Sequence, residues 1–277
     1  MRTWIAVVLL VGPAVVGCGE DDVSFADRAA TTYDGSLVPG ADVLRHPRAG
    51  VAGNVVDCDT WGTGSAFEGD VYDEGATAGD PEGAVRHAFS EGLWLTLPDD
   101  LAEAARAEDR VLYVAEVDGR AKVAVVVHDG AGTAGAGGGG WYVESWARCD
   151  VVELPPDFVE ERGYQVWHDA EGRVVPTTEL EAQAGPEHCD WQDMTFLHLA
   201  GDGRDATFAR DPHRDVRDYF AEPYLAHTTL PPDAVDTGYR RDDDRMWIAP
   251  GDARVYVGEG PDDVELWPRM VEPLGCE

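Results

Sequence analysis

Lysine is almost missing from this chain: of 21 cationic side chains Lys122 is the only lysine, and 54 acids oppose them. The resulting net charge of −33 repels phosphate backbones and anionic headgroups, so nucleic acid is excluded as a partner and polyanions in general are disfavoured. Serine is scarce as well. Ser24, Ser36, Ser65, Ser90 and Ser145 are the whole set, and none stands in a G-x-S-x-G frame, the elbow that would present a serine nucleophile. There is no H-E-x-x-H, no C-x-x-C and no Gly-Lys-Ser/Thr, which removes the usual signatures of a zinc protease, a zinc ribbon and a P-loop. Long apolar runs are also lacking. The longest candidate, Trp4 to Val11, reaches a Gly12-Pro13 break far short of the roughly 20 residues that span a bilayer core.

That short run is informative for another reason. Arg2, the apolar segment and small residues at Gly17 follow the order of an export signal, and the chain turns acidic immediately afterwards at Glu20-Asp21-Asp22. Val15-Val16-Gly17-Cys18 resembles the lipobox of bacterial lipoproteins. The resemblance implies cleavage before Cys18, acylation of Cys18, and a chain held by lipid at the extracytoplasmic face of the cell membrane. Residues 1–17 are then the signal peptide.

Export changes what the remaining cysteines are for. Cys58, Cys149, Cys189 and Cys276 are an even set in an oxidising compartment, which favours two disulfides over a four-cysteine zinc site. Three pairings are possible. Cys58 with Cys149 and Cys189 with Cys276 is preferred, because neither link would cross the proline-rich joint at Leu154-Pro155-Pro156-Asp157.

Residues 18–50, rich in Asp, Ala and Gly with turns at Asp34-Gly35 and Pro39-Gly40, show no sustained periodicity and suggest a flexible acidic tether. From 51 to 153 the pattern predicts an α+β domain. Asn54 to Cys58 is a candidate short strand. A helix is expected over Pro81 to Phe89, opened by a proline suited to the first turn, and a second over Leu101 to Ala107 behind an Asp99-Asp100 cap. The clearest signal is a hairpin: Arg110–Val117 and Ala121–His128 flank Asp118-Gly119-Arg120 with β-branched arms. Trp141–Cys149 adds a third strand. Beyond the joint, residues 154–277 carry short strands at turn-rich intervals, the mark of a small barrel or sandwich. Candidates are Met194–Leu199, Ala206–Ala209, Val264–Trp267 and two Trp-bearing hairpins, 165–175 and 245–257. Leu154-Pro155-Pro156-Asp157-Phe158-Val159 is echoed by Leu230-Pro231-Pro232-Asp233-Ala234-Val235, and a duplication stands open against a chance recurrence of proline turns.

Three stretches invite a chemical reading. Gly130-Ala131-Gly132-Thr133-Ala134-Gly135 fits G-x-G-x-x-G, but a glycine run and a strand follow it instead of a helix whose N-terminus would receive a pyrophosphate. Nucleotide binding is therefore not expected, and no cofactor is. Asp57, Asp59, Gly62 and Glu68 sit at calcium-loop spacing, with Trp61 intruding at a ligand place. Glu187, His188 and Asp190 crowd acid and base around Cys189, yet no nucleophile accompanies them, and a bridged Cys189 is no thiolate. The structural alternative is a disulfide corner shielded by Trp191.

The stretches 141–150 (WYVESWARCD), 185–192 (GPEHCDWQ), 236–241 (DTGYRR) and 264–269 (VELWPR) resemble those of an uncharacterised family of exported proteins of high-GC Gram-positive bacteria. That resemblance implies export and brings no catalytic residues with it. The expectation is a lipid-anchored protein that binds or scaffolds an envelope protein or glycan. The alternatives are an envelope hydrolase working through Glu187, His188 and Asp190, and a calcium-dependent adhesion protein.

Overall fold

The computed structural model describes residues 23–26, 30, 33–40, 44–67, 77–90, 98, 100–130, 139–201 and 203–275. Its first half is built on a five-stranded antiparallel sheet with strands β1 (Gly62–Ala66), β2 (Ala102–Arg106), β3 (Arg110–Val117), β4 (Arg120–Asp129) and β5 (Trp141–Cys149), in the order β1-β5-β4-β3-β2. The hairpin expected around Asp118-Gly119 is the centre of it. Asp118 and Gly119 both take positive φ, +52° and +74°, as a two-residue turn matched to the twist of its strands requires.

The arms of that hairpin are apolar almost without alternation because both faces are covered. Val111, Val123, Val125 and Val127 point into one cluster, Leu112, Val114, Ala124 and Val126 into another. Over the first face lies helix α2 (Pro81–Ser90), whose Ala84 and Val85 are buried and whose start is capped by Asp80 Oδ1 accepting from Gly83 N at 2.7 Å. Over the second lies the short helix α1 (Ala52–Val55).

Three expectations for this half are corrected. Leu101 to Ala107 contributes β2 and no helix. Its Ala, Glu and Arg residues favour a helix in isolation, but the segment pairs with β3 and buries Ala102 and Ala104, and such pairing outweighs propensities of a few tenths of a kcal/mol per residue. Asp100 serves as a left-handed turn residue with φ +67°, its N–H donating to Ser24 Oγ at 3.0 Å. Asn54 lies in α1 rather than in a strand, and its Oδ1 accepts from Arg45 N at 2.7 Å. The segment 18–50, expected to be a tether, is packed in part where it is described, with Asp34, Gly35 and Val38–Gly40 exposed and other residues held on the sheet. Val23 and Leu37 are buried, Phe25 bridges Leu101 and stacks edge-on to Tyr113 at 5.0 Å, and Ala30 N donates to Glu103 O. Its apolar residues are sparse: Val23, Phe25 and Leu37 pack on the sheet, and Val38 is exposed.

The second half opens with helix α3 (Pro156–Glu161). The prolines of the joint open this helix, because proline costs nothing at a first turn where the N–H is unbonded anyway. Phe158 and Val159 of α3, with Val152 and Leu154 before it, complete the first core. Two sheets follow. Strands β6 (Leu180–Ala184), β7 (Thr195–Gly201) and β8 (Arg204–Arg210) form one, in sequence order. Strands β9 (Leu225–Thr228), β10 (Val235–Arg241), β11 (Asp244–Ile248), β12 (Arg254–Gly260) and β13 (Asp263–Pro268) form the other, in the order β10-β11-β12-β13-β9. Their inner faces meet in a shared core in which Leu197, Leu199 and Phe208 pack with Met246, Val255 and Trp267 around Trp167. The result is α+β, its second half a small open sandwich of antiparallel sheets.

The echoed hexapeptides do not mark a repeated unit. The first copy becomes α3 with its valine buried, and the second becomes a turn that leads into β10 with Val235 61% exposed. The hairpin 165–175 is reduced to bridges of His168 to Val174 and to Arg240, whereas 245–257 forms two full strands. The halves are also joined by polar contacts. The buried Asp150 side chain accepts from Thr177 N at 2.7 Å and Thr177 Oγ1 at 2.9 Å.

Candidate functional site

Strand β5 ends at Cys149, which is fully buried and bonded to Cys58 in the loop after α1. This is the pairing expected from the sequence. The loop it fixes carries Asp57, Asp59 and Thr60, and all three are gathered onto the only lysine and one glutamate. Lys122, on β4, donates to Glu153 Oε2 at 2.7 Å, to Asp59 Oδ2 at 3.1 Å and to the carbonyl of Asp57 at 2.8 Å, which uses all three of its protons. Its side chain is 4% exposed and that of Glu153 is 3% exposed. Glu153 in turn accepts from Asp59 N, Thr60 N and Thr60 Oγ1 at 2.6–2.8 Å. Burial pushes the Glu153 carboxyl up, and its donors, Asp59 N–H, Lys122 and Thr60, bring it net below the ordinary glutamate value.

At the solvent side Arg120 forks onto both oxygens of Asp57, at 2.9 and 3.0 Å, and reaches Asp59 at 2.8 Å. The hydrogen bond from Arg120 is the main reason both carboxyls lie below the usual aspartate value. The calcium reading of this loop meets a physical obstacle here: its first two acids are already neutralised by cations of the chain itself, and Trp61 follows them. Glu68 lies outside the described residues, among which no group of three or more His, Cys, Asp or Glu is arranged to hold a metal. Thermal unfolding in millimolar calcium and in excess chelator should give the same midpoint, and a calcium-dependent rise would show that the ion displaces Arg120.

Next to this network, between β4 and the start of the second half, is a cleft of about 530 Å³. Val117, Val152, Val159, Tyr164, Val166 and Val174 supply apolar wall, while Lys122, Glu153 and Arg120 supply charge that is already paired. A second polar cluster occupies the opposite end of β4. Arg110 forks onto Glu144 at 2.9 and 3.1 Å with both side chains largely buried, and His128 lies 3.0 Å from the Tyr142 hydroxyl and 3.2 Å from Asp109. The glycine motif 130–135 begins there, and its residues after Gly130 lie outside the described set.

No family model, curated protein or solved structure matches the chain. Function therefore has to be read from geometry and charge.

Glu187, His188 and Asp190 do not form a site with one another. They stand exposed on a single 3-10 turn, with Asp190 closing it at φ +56°, and they do not line the cleft beside Lys122. Cys189 between them is disulfide-bonded. It packs with Trp191, Met194, Phe220 and Leu274, the shielded corner that was the alternative to catalysis. Cys276, its expected partner, lies outside the described residues, as does the candidate lipid site Cys18.

Sequence reasoning missed the groups that the fold assembles most tightly. Lys122 stood out as a compositional oddity, but nothing near it in sequence named Glu153 or Asp59 as its partners. Arg45-His46-Pro47-Arg48 gave a usable signal, three bases within four residues of an acidic chain.

Proposed function

We propose that this chain is an extracytoplasmic protein of the cell envelope, tethered to the membrane by lipid at Cys18, that works by binding a partner rather than by transforming a substrate. The observation that carries the proposal is the state of the cysteines. Cys58 and Cys149 are bonded, and Cys189 is disulfide-bonded as well. Structural disulfides of this kind persist in oxidising compartments and are rare in a reducing cytosol, which agrees with the export signal and lipobox read from residues 2–18. Among the described residues no helix is long and apolar enough to cross a membrane. The likeness to exported proteins of high-GC Gram-positive bacteria points the same way.

Binding is favoured over hydrolysis because the buried acids and bases, Lys122 with Glu153 and Arg110 with Glu144, are engaged with one another, Glu187, His188 and Asp190 form no site, and the chain offers clefts beside the disulfide-held loop. An envelope protein or a glycan is the partner class this location supplies. Two measurements test the proposal. Cells fed labelled palmitate should incorporate it into the wild-type chain and not into Cys18→Ala, which should be released from the membrane fraction. Equal labelling of both chains would remove the anchor. Envelope extract passed over the immobilised chain should leave a partner bound, and a partner-free column would remove the binding role.

A further inference from the structure

Arg45, His46 and Arg48 are exposed and line a cleft of about 910 Å³ with Thr60, Trp61 and the glycines of β1. On a chain of net charge −33 this cleft is locally basic. Its single described acid is Asp57, whose two carboxylate oxygens are both held by Arg120. Arg45 spends Nη2 on the carbonyl of Asn54 at 2.8 Å, and neither Arg45 nor Arg48 has an ion-pair partner at salt-bridge distance among the described residues. Among the described residues, two exposed guanidinium groups thus have no carboxylate at salt-bridge distance.

The floor of the cleft is the edge of a sheet. β1 lies outermost in the order β1-β5-β4-β3-β2 and pairs with β5 without a bulge, Gly62 opposite Cys149 through Ala66 opposite Ser145. Asp150 N donates to Trp61 O and Phe67 N donates to Glu144 O, which fixes the parity of this antiparallel ladder. Residues 61, 63, 65 and 67 bond toward β5, and the N–H and C=O groups of Gly62, Gly64 and Ala66 point away from it. No backbone hydrogen bond from any other described segment reaches those three. The strand reads Gly-Thr-Gly-Ser-Ala and carries none of the lysines, prolines or bulges that normally blunt an edge. Gly64 is required by packing: a Cβ there would come within 2.5 Å of both the Ala49 Cβ and the Trp146 carbonyl oxygen. The same lack of side chains leaves the backbone open to a neighbour.

We infer that the open edge of β1 takes up an extended acidic segment of a partner protein as an added strand, its carboxylates pairing with Arg45 and Arg48. Main-chain bonds to Gly62, Gly64 and Ala66 supply the affinity that strand addition gives. The arginines select the sign of charge. The acidic remainder of the surface repels acidic segments that cannot reach those arginines, which sharpens the selection. The inference rests on the binding reading but not on the anchor, because it concerns the chain in solution.

The test uses the purified full chain and a fluorescent peptide alternating glutamate and valine, followed by anisotropy, with a lysine–valine peptide as control. The glutamate peptide should bind and the lysine peptide should not. The double variant R45A/R48A, which changes only exposed side chains, should bind about tenfold more weakly, as the loss of two exposed ion pairs implies. Ala66→Pro removes an outward N–H without touching the β5 ladder and should also weaken binding. If that variant fails to fold, slowed hydrogen exchange at Gly62, Gly64 and Ala66 of the wild type on peptide addition replaces it. Binding that responds to the arginines but leaves the β1 edge amides and Ala66→Pro unaffected would overturn strand addition in favour of a point-charge contact. Equal binding of the lysine peptide, or no binding of the glutamate peptide, would overturn the inference outright, while the envelope column still reports whether the chain binds anything.

Discussion

Glu153→Ala is expected to lose about 3–5 kcal/mol of folding stability, the range for breaking a buried ion pair from one side. The reason is Lys122. With Glu153 removed, a side chain that is 4% exposed keeps its charge but loses its closest acceptor, and the N–H groups of Asp59 and Thr60 lose theirs at the same time. Lys122→Met should be damaging for the mirror-image reason. The double replacement Lys122→Met with Glu153→Leu should be far milder than either alone, since an apolar pair of similar volume needs no compensation. Urea unfolding of the wild type, Glu153→Leu, Lys122→Met and the double variant measures the coupling directly, and additive effects would show that the two charges do not depend on each other.

The same network sets a pH dependence. The folded-state carboxyls of Glu153, Asp57 and Asp59 all lie below their ordinary values of 4.5, 3.8 and 3.8. A depressed carboxyl stabilises the fold fully above its ordinary value and stops doing so as the pH falls through its folded value. The wild type should therefore hold its stability through neutral and mildly acidic solution and lose it below about pH 4.5. Glu153→Gln should flatten the upper part of that acid limb. An unchanged limb would place the acid sensitivity elsewhere in this highly acidic chain.

Removing the Cys58–Cys149 bond is the other change with a large expected effect. It joins residues 91 positions apart, and closing a ring of that length removes about 4–5 kcal/mol of chain entropy from the unfolded state in the loop model. Cys58→Ala with Cys149→Ala should lower the urea midpoint accordingly. It should also loosen the Asp57–Thr60 loop, because the bond and the Glu153 acceptors hold that loop from two sides. Comparing the double alanine variant with Cys58→Ala alone separates the two contributions: both lack the bond, and Cys149 is fully buried, so its truncation adds a small cavity that the single variant does not. A midpoint insensitive to both changes would mean that the acceptors on Glu153 hold the loop unaided.

The parts of the fold that were legible in advance are those whose cause is local. Asp118-Gly119 specifies a tight turn, so Arg110–Val117 and Ala121–His128 came within one residue of strands β3 and β4 at each end. Pro81 and the spacing behind it located α2. The Cys58–Cys149 pair was legible because few cysteines were available and one pairing avoided the joint. Leu101 to Ala107 was misread because its Ala-rich composition favours a helix while its partner, Val111 to Val114, favours a strand, and only the pairing decides. The packed parts of the segment 18–50 escaped notice for a related reason: Val23 and Leu37 are isolated apolar residues whose burial depends on sockets supplied by distant strands. The candidate site was hardly legible at all. Glu153 follows Lys122 by 31 positions and belongs to no motif that names the lysine as its partner, and the edge status of β1 is a property of the whole strand order.

By itself, then, the sequence determined what a few neighbouring residues can settle: the charge, the hairpin and its meander, the first turn of α2, and the expectation that the cysteines pair. The tertiary structure decided whatever depends on a contact between remote segments. Leu-Pro-Pro-Asp makes the point most directly. At 154–157 it opens a helix because Phe158 and Val159 have a valine-lined face to enter, and at 230–233 it makes a turn because Val235 has none. The four residues are the same in both places, and what separates their fates is the burial of the residues that follow, Phe158-Val159 against Ala234-Val235, on strands that neither peptide contains.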